Sequence, residues 1–114
     1  MIARFWSARA TPASAGLYAD HFRAQVLPTL QKMDGCAGAM LLERKASKNS
    51  EILVITWWHS REAISRFAGA DSEKAVVAAE AAALLAKYDR RVRHYDLIAE
   101  GDMSQPGALE RPRD

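Results

Sequence analysis

From Ile2 to Ala8 the chain is apolar and aromatic apart from Arg4 and Ser7, which predicts a first strand. Thr11-Pro12 follows, pairing a residue able to cap a helix with a proline suited to its first turn. Beyond it Ala15, Tyr18, Ala19, Phe22 and Val26 recur at three- and four-residue steps, the stripe of an amphipathic helix. Pro28 lacks an amide donor and clashes one turn back, so the helix is expected to bend or stop near Val26. Thr29 to Met33 then forms a short extra turn closed by Asp34-Gly35. Cys36 to Arg44 reads as a second strand that becomes polar at Glu43, and Ala46 to Ser50 as a hairpin-type connection.

Ile52 to Trp58 shows no alternation of apolar and polar positions, so both faces of this third strand need cover. Trp57 and Trp58 point to opposite faces of it. Ser60 can cap the next helix, whose stripe is Ala63, Ile64, Phe67 and Ala68 before Gly69 ends it. Glu73 to Tyr88 is rich in alanine and leucine, which predicts one or two further helical pieces. Val92 to Ile98 alternates well enough for a final strand. The order is βαββαβ, an α+β, ferredoxin-like antiparallel sheet with helices on one face. Two helices cover only that face; a second copy of the chain is the simplest cover for the other, which predicts a homodimer.

The length of 114 residues holds one domain, expected over residues 1–100 with a flexible tail at 101–114. The formal charge of +2 arises from 16 basic and 14 acidic residues spread along the chain, so no field is expected to gather nucleic acid. Cys36 is the single cysteine, which excludes an internal disulfide. HExxH, paired CxxC, GxGxxG and GxxxxGK[ST] patterns are missing, leaving metal and nucleotide cofactors without support. Neither a signal-peptide start nor an apolar run near ~20 residues occurs; a cytoplasmic protein with no membrane partner is the expectation.

Ile2-Ala3-Arg4-Phe5-Trp6, the run from Trp58-His59-Ser60 through Phe67, then Asp71, Lys74-Ala75 and His94-Tyr95-Asp96 resemble the antibiotic-biosynthesis monooxygenase family over residues 1 to about 100. The resemblance implies a dimeric α+β barrel with a small-ligand pocket between sheet and helices in each subunit. Families of this kind include cofactor-free oxygenases of aromatic polyketides, haem-degrading enzymes and many members without known activity. The positions that carry an asparagine, a tryptophan and a histidine in the haem-degrading branch fall here on Ser7, Phe67 and Val77. Val77 has no nitrogen for iron and Ser7 has no amide, so haem degradation is not expected and no cofactor is.

What remains is a cofactor-independent monooxygenase acting on a small aromatic or quinol-like compound. A non-catalytic ligand-binding dimer and a proton-abstracting isomerase or lyase are the alternatives. His21 lies roughly 100° from the centre of the first helical stripe, where it is either a general base at a pocket mouth or a solvated rim residue. Ser7 either hydrogen-bonds a substrate oxygen or satisfies a neighbouring carbonyl. Phe67, Trp58 and Phe22 are the expected substrate-binding aromatics, with plain core packing as the competing role. His94 beside Asp96 reads as a surface pair, and His59 as an exposed turn residue.

Overall fold

A computed structural model describes residues 1–101 of the protein. Strands β1 (Ile2–Ala10), β2 (Cys36–Lys45) and β3 (Ser50–Trp58) form the body of one antiparallel sheet, in the order β2-β3-β1. The far edge of β1 is shared by two short strands, β4 (Lys87–Tyr88) against Ala8 and Arg9, and β5 (Arg93–Asp96) against Ile2 to Phe5. Together they make one interrupted fourth strand.

The register assigns the two faces. Ile2 pairs with Trp58, Arg4 with Thr56, Trp6 with Val54, Ala8 with Ile52 and Ala10 with Ser50, and side chains of paired residues share a face. All ten are buried under the helices. The intervening residues Ala3, Phe5 and Ser7 of β1, Leu53, Ile55 and Trp57 of β3, and Met40 and Leu42 of β2 lie on the opposite face. The absence of alternation in β3 is therefore real, and Trp58 faces the helices while Trp57 does not.

Helix α1 (Pro12–His21) starts where Thr11 accepts a hydrogen bond from the Ser14 amide at 3.2 Å, a cap whose loss costs about 1 kcal/mol. The helix does not stop near Val26. It widens into a π-turn over Phe22–Val26 and continues as α2 (Leu27–Gln31). The wider turn accommodates Pro28, which has no amide to give, and Thr29 Oγ1 donates to the Gln25 carbonyl at 2.8 Å. Helix α3 (Arg61–Ala68) is capped by Ser60 and buries Ala63 and Ile64.

The largest departure from expectation lies between Glu73 and Tyr88. Only Ala79–Ala82 (α4) is helical there, and Lys87–Tyr88 is strand. The start of the segment pairs with the approach to β5 instead: the Ala75 amide donates to the Arg90 carbonyl at 2.9 Å, and the Val92 amide to Glu73 at 2.8 Å. Alanine's helix propensity is worth only tenths of a kcal/mol per residue, so these pairings and the burial of Ala81 and Val92 outweigh it. The last strand is also shorter than expected, ending at Asp96. Residues 102–114, nearly all of the expected tail, lie outside the described residues.

Candidate functional site

Two apolar clusters sit on the helix-covered face. One joins Trp6, Ala8, Ile52 and Val54 to Tyr18 and Phe22 of the first helix, with Ala81 and Val92; the other joins Ile2 and Trp58 to Leu30, Ala63 and Ile64. Between them the sheet carries one polar row, Arg4 opposite Thr56. A cavity of about 300 Å³ opens over this row, at the small end of the range for ligand sites. Arg4, Thr56, Trp6 and Val54 form its floor, Phe67 one wall, Tyr18, His21, Gln25 and Val26 the helical wall, and Val76 to Ala78 with Glu80 and Ala81 the remaining side. The π-turn contributes Gln25 and Val26 to this wall, a common use of such turns.

Arg4 is 4% exposed. Its Nη1 donates to the Ser72 carbonyl at 2.6 Å and lies 3.0 Å from His94 Nε2, while Nη2 donates to the Lys74 carbonyl at 2.7 Å. Its guanidinium carbon stands 5.5 Å from the centre of the Phe67 ring, a cation–π distance. Burial pushes the Arg4 pKa down to about 10, so it is still charged at neutral pH. A guanidinium cannot accept, so His94 Nε2 must be the lone-pair nitrogen and Nδ1 carries the proton. Burial first, then the Arg4 charge, holds the His94 pKa below its ordinary value and keeps the ring neutral. Its Nδ1 is buried without a partner among the described residues.

Tyr18 is buried, and desolvation pushes its phenol up to about 12; it remains protonated and serves as a donor rather than a base. Its ring neighbours Trp6 at 6.0 Å and His21 at 5.9 Å between centroids. Trp58 Nε1 donates to Thr56 Oγ1 at 2.8 Å, leaving the Thr56 hydroxyl proton to point elsewhere.

Of the five residues singled out from the sequence, the cavity brings together His21 and Phe67. Phe22 and Trp58 are buried behind the lining: Trp58 is fully enclosed with its ring 5.2 Å from Phe67, and Phe22 belongs to the core beneath the first helix. Ser7 faces the other side of the sheet, where its hydroxyl donates to Asp89 Oδ2 at 2.7 Å. Ser7 and His21 thus do not share a cavity, because odd and even positions of β1 point opposite ways. The expected His94–Asp96 surface pair is not formed either; His94 meets Arg4, and Asp96 meets Arg61 at 3.3 Å.

Arg4, Tyr18 and Thr56 were not singled out from the sequence. Arg4 had a legible signal, since it is a charge at the same parity as Ile2 and Trp6 on an apolar strand. Val77 lines the cavity with an aliphatic side chain that has no lone pair for iron, and Ser7 is on the far face. The residues at these two positions do not fit haem. Among the described residues no group of three or more His, Cys, Asp or Glu could hold a metal ion, and no helix is long and apolar enough to cross a membrane.

No curated protein is found to match the chain in sequence. Solved structures do match its fold. A Bacillus cereus protein assigned to the antibiotic biosynthesis monooxygenases superposes with a TM-score of 0.67 at 14% identity, over 92% of this chain and 98% of that one. The haem degrader MhuD of Mycobacterium tuberculosis, solved with two haems in its active site, gives 0.59 at 18% identity over 90% and 100%. SnoaB, a cofactor-independent oxygenase from Streptomyces nogalater, gives 0.54 at 16% identity over 91% and 98%. Identities this low establish the fold alone. The model of the antibiotic biosynthesis monooxygenase family matches residues 1–79, more than half of the sequence, and the chain therefore belongs to that family.

Proposed function

We propose that the chain is a cofactor-independent monooxygenase that oxidises a small aromatic or quinol-like compound in the cavity over Arg4 and Thr56. The observation that carries this reading is the cavity itself, an apolar slot between sheet and helices with a few convergent polar groups, in a chain of this family. His21, at the cavity wall, takes the proton of the substrate hydroxyl. The resulting phenolate has carbanion character on the ring and passes one electron to dioxygen. The substrate radical and superoxide then combine to form a carbon–oxygen bond, and the protonated hydroperoxide loses water to leave a quinone. The protein's part is to orient the ring, remove one proton and keep water from the intermediates.

The working unit is a homodimer. Met40 and Leu42 are 42% and 45% exposed on the open sheet face, Tyr95 is 49% exposed beside Phe5, and Trp57 lies among them. A second copy applied to this face would cover a contiguous apolar surface.

Oxygen-electrode measurements with a panel of phenols and quinols test the activity. One dioxygen consumed per quinone formed is expected, with turnover falling at least tenfold in His21→Ala. Identical product from aerobic and anaerobic incubations would refute the oxygenase reading; an isomerised product would identify an isomerase or lyase, and saturable binding without turnover a ligand-binding dimer.

A further inference from the structure

The floor of the cavity carries a buried cation without a counter-ion. The contacts of Arg4 are two backbone carbonyls and a neutral imidazole, and no carboxylate among the described residues lies within ion-pairing distance of it. Glu80, the carboxylate of the cavity lining, is exposed and makes no ion pair with it. Burying an unpaired guanidinium is costly, and folded proteins rarely retain one without use. A guanidinium has five N–H groups, and the three contacts named leave two of them without an acceptor among the described residues. Position reinforces this. Arg4 and Thr56 are the polar row between two apolar clusters, where a flat ring held by Trp6, Val54 and Phe67 would set an oxygen substituent beside them.

We propose that the cavity binds its ligand as an anion, with an aryl oxyanion, either carboxylate or phenolate, held by Arg4 and the Thr56 hydroxyl. Phe67 lies against the guanidinium and fixes its plane, and His94, by accepting from Nη1, orients it. Arg4 is thereby a binding residue and His94 a positioning residue. The inference rests on the cavity being the ligand site but not on the reaction with oxygen. A phenolate so held would be stabilised in the form that the oxygenase reading requires, since a charge-assisted hydrogen bond in a desolvated site favours the ionised state.

The test is anaerobic binding followed by quenching of tryptophan fluorescence, with two matched probe pairs: 2-naphthoate against 2-naphthamide, and 4-nitrophenolate against 4-nitroanisole. The anion is expected to bind about tenfold or more tightly than its neutral partner in at least one pair. Preference in the first pair identifies a carboxylate ligand and in the second a phenolate. Bound 4-nitrophenol, read by absorbance, should in the second case ionise at lower pH than in free solution. Arg4→Met should erase the preference, and Arg4→Lys should retain part of it. Equal affinity for both members of both pairs in the unaltered protein, or a preference that survives Arg4→Met, would overturn the proposal. The comparison within the unaltered protein decides even where Arg4→Met fails to fold. Oxygen consumption is read separately, so anion-selective binding without turnover would leave this inference standing while the monooxygenase reading falls.

Discussion

Gly35 sets the position of α3, and with it the Phe67 wall. Its φ is +89°, and a Cβ built on it would overlap Ala63 Cβ on α3. Its carbonyl also accepts the His59 amide at 2.9 Å, tying the end of the α2 connection to the β3–α3 turn. Gly35→Ala therefore carries two costs. Left-handed backbone at a residue with a Cβ costs about 1–3 kcal/mol, and forcing a methyl into a filled contact costs about 1–3 kcal/mol more. The sum, about 2–6 kcal/mol, is a large share of the ~5–15 kcal/mol that holds a domain together.

Gly69 supplies an internal control: its φ is +92°, but nothing stands within 4 Å of a Cβ built there. Gly69→Ala should cost only the backbone part, about 1–3 kcal/mol. Urea unfolding followed by tryptophan emission measures both. A gap of about 2 kcal/mol between the variants corresponds to roughly 8–10 °C in Tm for a domain of this size. The decisive comparison repeats Gly35→Ala in an Ala63→Gly background, where the methyl has room and the penalty should fall to the backbone part alone, about 1–3 kcal/mol. An unchanged penalty there would refute the claim that close approach to α3, rather than φ alone, requires glycine at position 35.

Other outcomes follow from the same structure. Leu42→Glu on the open sheet face should convert a dimer to monomer in sedimentation velocity at micromolar concentration while leaving probe binding in the cavity measurable; a chain that is already monomeric before substitution would refute the homodimer. His94 is half-buried and neutral, with its folded pKa below the unfolded value of about 6.5. The unfolded state then binds the extra proton, so stability is full above pH ~6.5 and falls as the pH drops below it towards the folded pKa. The urea midpoint should fall between pH 7.5 and 5.5, and by less in His94→Asn; Glu51 and Asp71, whose carboxyls are held low by Arg44 and Arg91, act only at more acid pH. Ser7→Ala should leave probe affinity in the cavity unchanged within twofold, because its hydroxyl is on the other face.

The parts of this fold visible in the sequence are those where local chemistry and long-range packing agree. Thr11-Pro12 and Ser60 announce α1 and α3, and both serve as caps. The unbroken apolar run of β3 announces a strand with apolar side chains on both faces, as the register shows. Where the two disagree the sequence misleads: Glu73 to Tyr88 has a helix former at most positions, yet the backbone at its start is claimed by the approach to β5 and at its end by β1. Pro28 announces a break, but the π-turn absorbs it without interrupting the rod. The five-residue site expected from the sequence mixed both faces of the sheet, because Ser7 was chosen by its position along the chain, whereas membership of a cavity depends on parity and register.

Parity is also what makes Arg4 informative. Counting by twos along β1 from Ile2 gives Ile2, Arg4, Trp6, Ala8 and Ala10, one charge in an otherwise apolar series facing the helices. A charge in such a row is tolerated only where something satisfies it. The carbonyls of Ser72 and Lys74 do so in part, and in turn they fix the loop whose continuation, Val76 to Ala78, closes one side of the cavity. Trp58 contributes similarly from the neighbouring strand: enclosed itself, it engages Thr56 Oγ1 and supports Phe67. The polar row and the walls beside it are therefore positioned in part by groups outside the cavity lining, the Ser72 and Lys74 carbonyls and the enclosed Trp58. For that reason truncating Trp58 to Phe, which removes its donor while keeping most of its volume, should alter ligand affinity through Thr56 more than it alters the urea midpoint.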